Sequence, residues 1–160
     1  GSSWNNCDFE ANLCKVLPEF NLQPGWIRRN GQSGMGPPYS DHSGNESAYF
    51  LSLSSEMQSS SAALRTRVFL PTDEHHLCQM RFHYWVSQMS GTLIVGLQKD
   101  SEDIFTNIWQ VSGELRNQWN VNTITINSTE KFEVIFLGMM ETQRQGESVA
   151  IDDITFSEGC

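Results

Sequence analysis

Carboxylates are the side chains of this 160-residue sequence whose spacing most suggests chemistry, and they stand in three places. Asp8 and Glu10 lie near the start, Asp41 lies in a glycine-rich stretch, and Asp152 and Asp153 are adjacent near the end. The adjacent pair interrupts an apolar segment that is expected to form a strand, so one of its carboxylates must face the apolar side. Burying a carboxylate costs free energy unless it is paired with another group or bound to a cation.

Two explanations of the adjacent pair stay open on spacing alone. Calcium suits such a place, because it takes about six to eight oxygen ligands from carboxylates and backbone carbonyls. Alternatively, the pair has a structural role in a cap, a turn or an ion pair, for example with Arg28 or Arg29.

The four cysteines predict disulfides rather than a zinc site. Cys7 and Cys14 are separated by six residues, and Cys78 and Cys160 are isolated, whereas zinc ligands usually come as two close pairs. An even number of cysteines without metal spacing fits two disulfides in an oxidising compartment. Three connectivities are possible, of which Cys7–Cys14 with Cys78–Cys160 is the simplest, and four free thiols in a cytosolic protein are the alternative.

Two glycosylation sequons agree with an extracellular setting. Asn45 begins Asn-Glu-Ser and Asn127 begins Asn-Ser-Thr. Residues 1–6 are interpreted as the remnant of an expression tag and a linker, and residues 7–160 as a single domain. No apolar run approaches the roughly 20 residues that span a bilayer, so direct membrane insertion is not expected.

Composition and motifs exclude several classes of function. Ten Lys plus Arg against nineteen Asp plus Glu give a net charge of −9, which repels phosphate backbones and argues against nucleic-acid partners. The sequence contains no Gly-x-Ser-x-Gly elbow, His-Glu-x-x-His pair or phosphate-cradling glycine loop. His75 and His76 fall in a polar turn, where a solvated loop is expected. His83 falls on the more polar face of a strand, where a surface histidine with satisfied hydrogen bonds is expected. We therefore expect no enzymatic activity.

Four tryptophans, Trp26, Trp85, Trp109 and Trp119, are compatible with two roles. Their rings could stack on sugars at an exposed face, or they could fill the core of a sandwich. The apolar neighbourhoods of Trp85 and Trp109 favour the core.

Alternation of apolar and polar residues predicts strands along most of the chain. Between Cys78 and Val86 the even positions are apolar, and Trp85 is the exception among the odd ones. Further strands are expected within 48–53, 63–70, 93–97, 104–111, 124–126, 132–136 and 148–156. Many short strands with almost no helical pattern predict an all-β fold, a two-sheet antiparallel sandwich.

An ordered set of short motifs resembles one protein family. The motifs are Cys-Asp-Phe-Glu at 7–10, Leu-Cys at 13–14, Trp26 and Arg28, Gly-Pro at 36–37, Asp-His-Ser-Gly at 41–44, Ala-Tyr-Phe at 48–50, Phe-His-Tyr at 82–84, Gly-Thr-Leu at 91–93, Trp109, Trp119, Phe-Glu-Val-Ile-Phe at 132–136, Val-Ala-Ile-Asp-Asp-Ile at 149–154 and Gly-Cys at 159–160. From Cys7 to Cys160 this set resembles the MAM domain, named for meprin, neuropilin-type antigen and receptor tyrosine phosphatase mu.

The resemblance implies a jelly-roll sandwich with the disulfides Cys7–Cys14 and Cys78–Cys160. It also implies an extracellular module of an adhesion, matrix or receptor protein that acts through protein–protein contacts. Its partner would be a receptor, a matrix protein or a second copy of the same module.

The resemblance further implies a structural cation, calcium or another ion such as sodium. Glu10, Asp41 and Asp152 are the first expected ligands, with Asp8 and Asp153 behind them. The ion would hold the N-terminal segment against the last strand.

The sequence therefore predicts a non-catalytic extracellular interaction module stabilised by a cation. The alternative is a calcium-stabilised carbohydrate-binding jelly roll. That alternative requires a concave face with two exposed Trp or Tyr rings.

Overall fold

The computed structural model describes residues 6–10, 17–18, 25–34, 36–53, 61–86, 91–113, 118–140 and 148–160. Within these ranges the chain forms eleven strands: β1 (Asn6–Cys7), β2 (Leu17–Pro18), β3 (Trp26–Asn30), β4 (Tyr49–Leu53), β5 (Ser61–Arg65), β6 (Cys78–Val86), β7 (Gly91–Lys99), β8 (Thr106–Ser112), β9 (Asn120–Ile126), β10 (Phe132–Met140) and β11 (Val149–Phe156). None of the residues described forms a helix of the length and apolarity needed to cross a membrane.

The strands form two antiparallel sheets. Sheet A has the order β3-β4-β11-β6-β9, and β1 also pairs with β11, next to Ile154 and Thr155. Sheet B has the order β2-β5-β10-β7-β8. Consecutive strands among these eleven change sheet at every connection except β3 to β4 and β7 to β8. Side chains of both sheets form one apolar core. The predicted all-β, two-sheet antiparallel sandwich is confirmed.

Strand β6 shows why the alternating pattern forms a sandwich. Its even positions from Cys78 to Val86 are buried in the core, whereas Gln79 and Arg81 are exposed. The Phe82 ring, fully buried, packs edge-on against Phe136 of the opposite sheet, with ring centroids 5.6 Å apart. Period-two alternation therefore places one face of β6 in the core, as predicted.

Trp85 departs from the alternation because a loop covers the outer face of sheet A. The described residues 31–34 and 36–48, here called the 31–48 loop, cover this face, and the half-buried rings of Trp85 and Trp119 lie beneath them with centroids 6.1 Å apart. The indole Nε1 of Trp119 donates a hydrogen bond to the Ser40 carbonyl, 2.9 Å away. The fully buried Phe50 ring meets Trp119 edge-on at 5.5 Å. The loop therefore shields the apolar side chains on this outer face from solvent.

Strand β3 is the longest strand that the alternation did not predict. It carries two adjacent arginines, and Arg29 is buried with only 5% of its surface exposed. Its guanidinium donates to the Ser52 hydroxyl and to the carbonyls of Pro37 and Pro38. Burial lowers the pKa of Arg29 to about 10. Hydrogen bonds to neighbouring backbone make a buried arginine tolerable in this strand.

One disulfide lies within the described ranges, between Cys78 and Cys160, as predicted. It joins the start of β6 to the end of the chain just beyond β11, which is the neighbour of β6 in sheet A. Cys7 is also disulfide-bonded. Its predicted partner Cys14 lies outside the described residues, so the pairing Cys7–Cys14 stays a prediction.

Candidate cation site

Asp41 organises the loop that carries one half of the candidate site. Its side chain is buried, and its Oδ1 accepts hydrogen bonds from the Ser43 amide, the Ser43 hydroxyl and the Asn45 amide at 2.7–3.0 Å. The Asp41 amide in turn donates to the Asn45 carbonyl. Gly44 completes the turn with φ of +89°, a left-handed conformation that suits glycine. This turn fixes the position of the residue after Asp41, which is His42.

A β-bulge in β11 carries the other half. The register between β11 and β6 shifts between Asp152 and Thr155, and Asp153 has φ of +51°. Neighbouring side chains of a regular strand point to opposite faces, but a bulge re-aims them. Here both carboxylates reach one imidazole: His42 Nδ1 lies 2.6 Å from Asp152 Oδ2, and His42 Nε2 lies 3.5 Å from Asp153 Oδ2.

Asp152 is the most deeply buried carboxylate of this cluster. Only 1% of its side chain is exposed, and the His42 amide also donates to its Oδ2. Burial raises the pKa of Asp152 to about 6, although the hydrogen bonds from His42 act in the opposite direction. The negative charge of Asp41 contributes to the rise. The ionised carboxylate is therefore costly in this position.

His83 joins the cluster from β6, directly opposite Asp152 in the sheet register. Its ring stacks on that of His42 with centroids 4.1 Å apart, and its Nδ1 lies 3.9 Å from Asp153 Oδ2. Its side chain is 14% exposed, and burial lowers its pKa. The expected surface position of His83 with satisfied hydrogen bonds is thus wrong, because the 31–48 loop covers this part of the sheet and the buried Nδ1 has no hydrogen-bond partner among the described residues.

The five predicted cation ligands do not all converge. Asp41 and Asp152 come together, since each offers an oxygen within 4.8 Å of the other and of a His42 nitrogen. Asp153 belongs to a neighbouring group with the two histidines. Asp8 and Glu10 belong to neither group and have other partners.

The N-terminal segment is held by direct protein contacts. Glu10 Oε1 accepts the Tyr49 amide at 3.0 Å, and Asp8 Oδ1 accepts the Glu10 amide at 3.1 Å. The Arg28 guanidinium donates to the carbonyls of Phe9 and Glu10 and lies over the Tyr49 ring. Neither Arg28 nor Arg29 contacts the Asp152–Asp153 pair. The residue that pairs with these two carboxylates is His42.

The donor chemistry at Asp41 and Asp152 fits a hard cation. Both supply carboxylate oxygens in a buried place, and the raised pKa of Asp152 marks a charge that a cation would stabilise. Three backbone or hydroxyl donors already occupy one oxygen of Asp41, and His42 occupies one oxygen of Asp152. Imidazole nitrogen is not a calcium ligand, so His42 would have to give up its hydrogen bond to Asp152 Oδ2 for that oxygen to bind calcium.

His42 is the central residue that the sequence reasoning did not single out. The signal available was its place directly after Asp41, in the Asp-His-Ser-Gly motif. Sequence spacing could not show that the next side chain would contact two carboxylates more than 100 positions away.

None of the four tryptophans is exposed. Trp26 is 5% exposed, and the other three are half-buried; Trp109 packs against the core through Phe82 and Tyr84. Among the described residues the exposed large aromatic side chain is Tyr39, at 66%. The described surface therefore lacks the pair of exposed rings that the sugar-binding alternative requires.

Both sequon asparagines are exposed. Asn45 Oδ1 accepts hydrogen bonds from the Ser47 amide and hydroxyl, and Asn127 follows the end of β9. Their modification stays a prediction.

The fold and the comparisons with known proteins define the class of this chain. It is a disulfide-linked, two-sheet antiparallel β-sandwich. It matches the MAM domain family, described as meprin/A5/mu, over residues 7–160, and the chain belongs to that family.

The similar curated proteins are much longer than this chain. It is 24% identical to MAM domain-containing glycosylphosphatidylinositol anchor protein 1 of Gallus gallus, covering 97% of this chain and 17% of that protein. It is 27% identical to MAM domain-containing protein 2 of Mus musculus, covering 96% of this chain and 22% of that protein. The chain thus spans about a fifth of the length of these relatives.

Solved structures share the fold at low sequence identity. An adhesin domain of Lys-gingipain from Porphyromonas gingivalis superposes with a TM-score of 0.55 and 15% identity, covering 95% of this chain and 97% of that one. A xylan-binding domain of the CBM 22 type superposes with a TM-score of 0.58 and 11% identity, covering 96% and 93%. These neighbours establish a jelly-roll-like sandwich and nothing about ligands.

Proposed function

We propose that this chain is a non-catalytic extracellular module of a larger adhesion, matrix or receptor protein, and that it acts by binding another protein. Family membership supports an extracellular interaction module, and the fraction of the relatives that it spans supports a part of a larger chain. The partner is a receptor, a matrix protein or a second copy of the module.

The observation that carries the proposal is an uncharged apolar row on the outer face of sheet B. Alternation places Ala63, Ile94, Leu137 and Met139 on this face, and we call them the outer strip. Leu137 pairs directly with both Ala63 and Ile94 in the sheet register. All four are partly accessible rather than buried. Protein interfaces are typically depleted of charge at their centre and enriched in methionine and aromatic residues.

Among the described residues, the charges on this face lie at one end of it. Arg65 and Glu133 form an ion pair there, with Nη1 and Oε2 3.6 Å apart, and Arg65 also donates to Gln98. Beyond the fully buried Ile135, the described part of β10 on this face carries Leu137 and Met139 of the outer strip. This arrangement of an apolar centre and a polar margin is typical of protein contact surfaces.

The test is binding of the glycosylated domain to intact cells and to beads that carry the domain itself. We expect saturable binding that Leu137→Lys reduces about tenfold, because a charge at an interface centre must be desolvated. Thr123→Lys is the matched control, since it adds the same charge on an exposed position of β9 in the other sheet. Equal binding by the two variants would contradict a contact through the outer strip.

The proposal includes a structural cation, calcium or sodium, held by Asp41 and Asp152. Its support is the meeting of two buried carboxylates from distant parts of the sequence and the raised pKa of Asp152. Such an ion would stabilise the contact between the 31–48 loop and β11. Glu10, Asp8 and Asp153 remain proposed as outer members of the set, to be tested one at a time.

Chelation tests the cation. EDTA should lower the melting temperature, and re-addition of calcium should restore it. Asp152→Asn should remove this sensitivity, whereas Asp73→Asn, in an exposed turn, should retain it. A melting temperature that EDTA leaves unchanged would refute the ion and leave the interaction proposal standing.

Protein binding is preferred to carbohydrate binding for a specific reason. The outer face of sheet A, where Trp85 and Trp119 lie, is covered by the 31–48 loop, and neither ring is exposed. The similarity to xylan-binding domains extends to the fold alone.

A further inference from the structure

We infer that His42, His83 and Asp153 form a second metal site, which takes a late first-row divalent ion such as Zn²⁺. Each of the three offers one ligand atom, and these atoms all lie within 4.8 Å of one another. Two imidazoles and one carboxylate are a donor set that zinc uses, whereas calcium takes oxygen ligands. This site goes beyond the proposed oxygen-donor cation and requires neither Asp41 nor Glu10.

The carboxylate of Asp152 holds the His42 ring in position but is not itself a ligand of this site. It lies 2.6 Å from His42 Nδ1, so in the tautomer that binds a metal through Nε2 the ring donates its Nδ1 proton to Asp152. That Nε2 faces Asp153 Oδ2 at 3.5 Å. A metal-binding histidine nearly always donates its other ring nitrogen to a carboxylate or carbonyl, which fixes the tautomer and the ring orientation. Asp152 is therefore a positioning residue for His42.

His83 contributes a nitrogen that the described protein leaves without a hydrogen bond. Its Nδ1 is buried and has no hydrogen-bond partner, and it lies 3.9 Å from Asp153 Oδ2. A buried polar atom without a hydrogen-bond partner destabilises the fold, and coordination to an ion would remove that cost.

Two of the three ligand separations are close to those of a tetrahedral site, and the third, between the two imidazoles, lies within 4.8 Å. Ligands about 2.1 Å from zinc are about 3.4 Å apart in a tetrahedron. The His42–Asp153 separation of 3.5 Å already matches, and the His83–Asp153 separation of 3.9 Å must shorten by about half an ångström. The stacked imidazoles require one ring to turn so that both lone pairs meet the ion. His42 and Asp153 are 25% and 32% exposed, which leaves the fourth position open to water.

The test is a titration of the tag-free domain with Zn²⁺ against a chromophoric chelator at neutral pH, in calcium-free buffer. We expect one Zn²⁺ per chain, with His83→Ala and Asp153→Asn each at least about tenfold weaker. Asp152→Asn should weaken binding by about 10–100-fold, because His42 loses its anchor. Co²⁺ should give the visible absorption of a four-coordinate site in the wild type and not in Asp153→Asn.

The controls separate this site from histidines that bind metal by chance. His76→Gln alters an exposed histidine, 72% accessible beside Asp73, and should leave the affinity unchanged. Asp153→Asn keeps the fold measurable if His83→Ala does not fold, since asparagine tolerates positive φ. Melting curves in EDTA establish that each variant is folded. Wild-type affinity in both site variants, or loss of binding in His76→Gln, would overturn the inference.

Discussion

Replacement of Arg29 by alanine should release the loop that carries the candidate cation site. Arg29 lies on β3, and its guanidinium joins β4 to the loop through the Ser52 hydroxyl at 2.7 Å and the Pro37 and Pro38 carbonyls at 2.9 and 3.3 Å. It also lies over the Phe50 ring, 4.8 Å from the centroid. Alanine removes all of these contacts at once and leaves the acceptors in place.

The magnitude follows from the acceptors that lose their donor. A buried polar group left without a hydrogen bond costs about 1–3 kcal/mol. Five acceptors lose a donor, and three of these hydrogen bonds are buried, but the loop can relax and water can reach some of the acceptors. We therefore expect Arg29→Ala to lower the free energy of unfolding by about 3 kcal/mol. Arg29→Lys should lower the free energy of unfolding by more than half as much, since an ammonium cannot reproduce the planar fork of the guanidinium.

Urea unfolding followed by tryptophan fluorescence is the appropriate assay. Trp119 is bonded to Ser40 of the same loop, so its emission reports loop release as well as global unfolding. Arg81→Ala on β6 is the matched control, because Arg81 is an exposed arginine in the same sheet and should change stability by less than about 0.5 kcal/mol. If Arg29→Ala were no less stable than Arg81→Ala, the buried guanidinium would not hold the loop and the reasoning would be refuted.

Three further predictions concern the disulfide, the core and the pH dependence. Cys78→Ser with Cys160→Ser removes a crosslink over 82 residues and should cost about 4.5 kcal/mol in urea unfolding. Phe82→Ala, at a fully buried ring, should cost about 3–5 kcal/mol in the same assay. Asp152 has a folded-state pKa of about 6 against an ordinary 3.8, so its ionised form destabilises the fold above about pH 6 and this penalty fades as the pH falls. In EDTA, lowering the pH from neutral to about 4 should therefore raise the free energy of unfolding of the wild type by up to about 3 kcal/mol relative to that of Asp152→Asn.

Each of these predictions has an outcome that contradicts it. A double serine variant as stable as the wild type would mean that the crosslink does not restrict the unfolded chain. Phe82→Ala with a loss below about 1 kcal/mol would place the ring outside the packed core. A stability difference between wild type and Asp152→Asn that does not vary with pH would show that burial does not shift this carboxylate.

The strands could be predicted because they depend on local alternation. β6 alternates apolar and polar residues and lies at the predicted residues 78–86. β7 and β10 contain the predicted ranges 93–97 and 132–136 and extend further, and β11 falls within the predicted 148–156. β3 was not predicted because its two arginines break the alternation. A strand with a buried arginine also requires hydrogen-bond acceptors from a distant loop. Local sequence contains no information about those acceptors.

The candidate site was predictable only in part, for the same reason. Residue types indicated that Asp41 and Asp152 are anomalous, since carboxylates in apolar surroundings require a partner wherever they lie. Their actual surroundings depend on the bulge at Asp153 and on the turn that presents His42, and both are set by tertiary packing. The N-terminal carboxylates looked equivalent in sequence, yet their oxygens accept backbone amides instead.

The sequence by itself determined the family, the two-sheet architecture and the residues that need a partner, because motifs, alternation and charge are local properties. Only the tertiary structure decided which partner each of them has. Hydrogen bonds and metal coordination depend on atoms a few ångströms apart, and the chain brings such atoms together from more than 100 positions away.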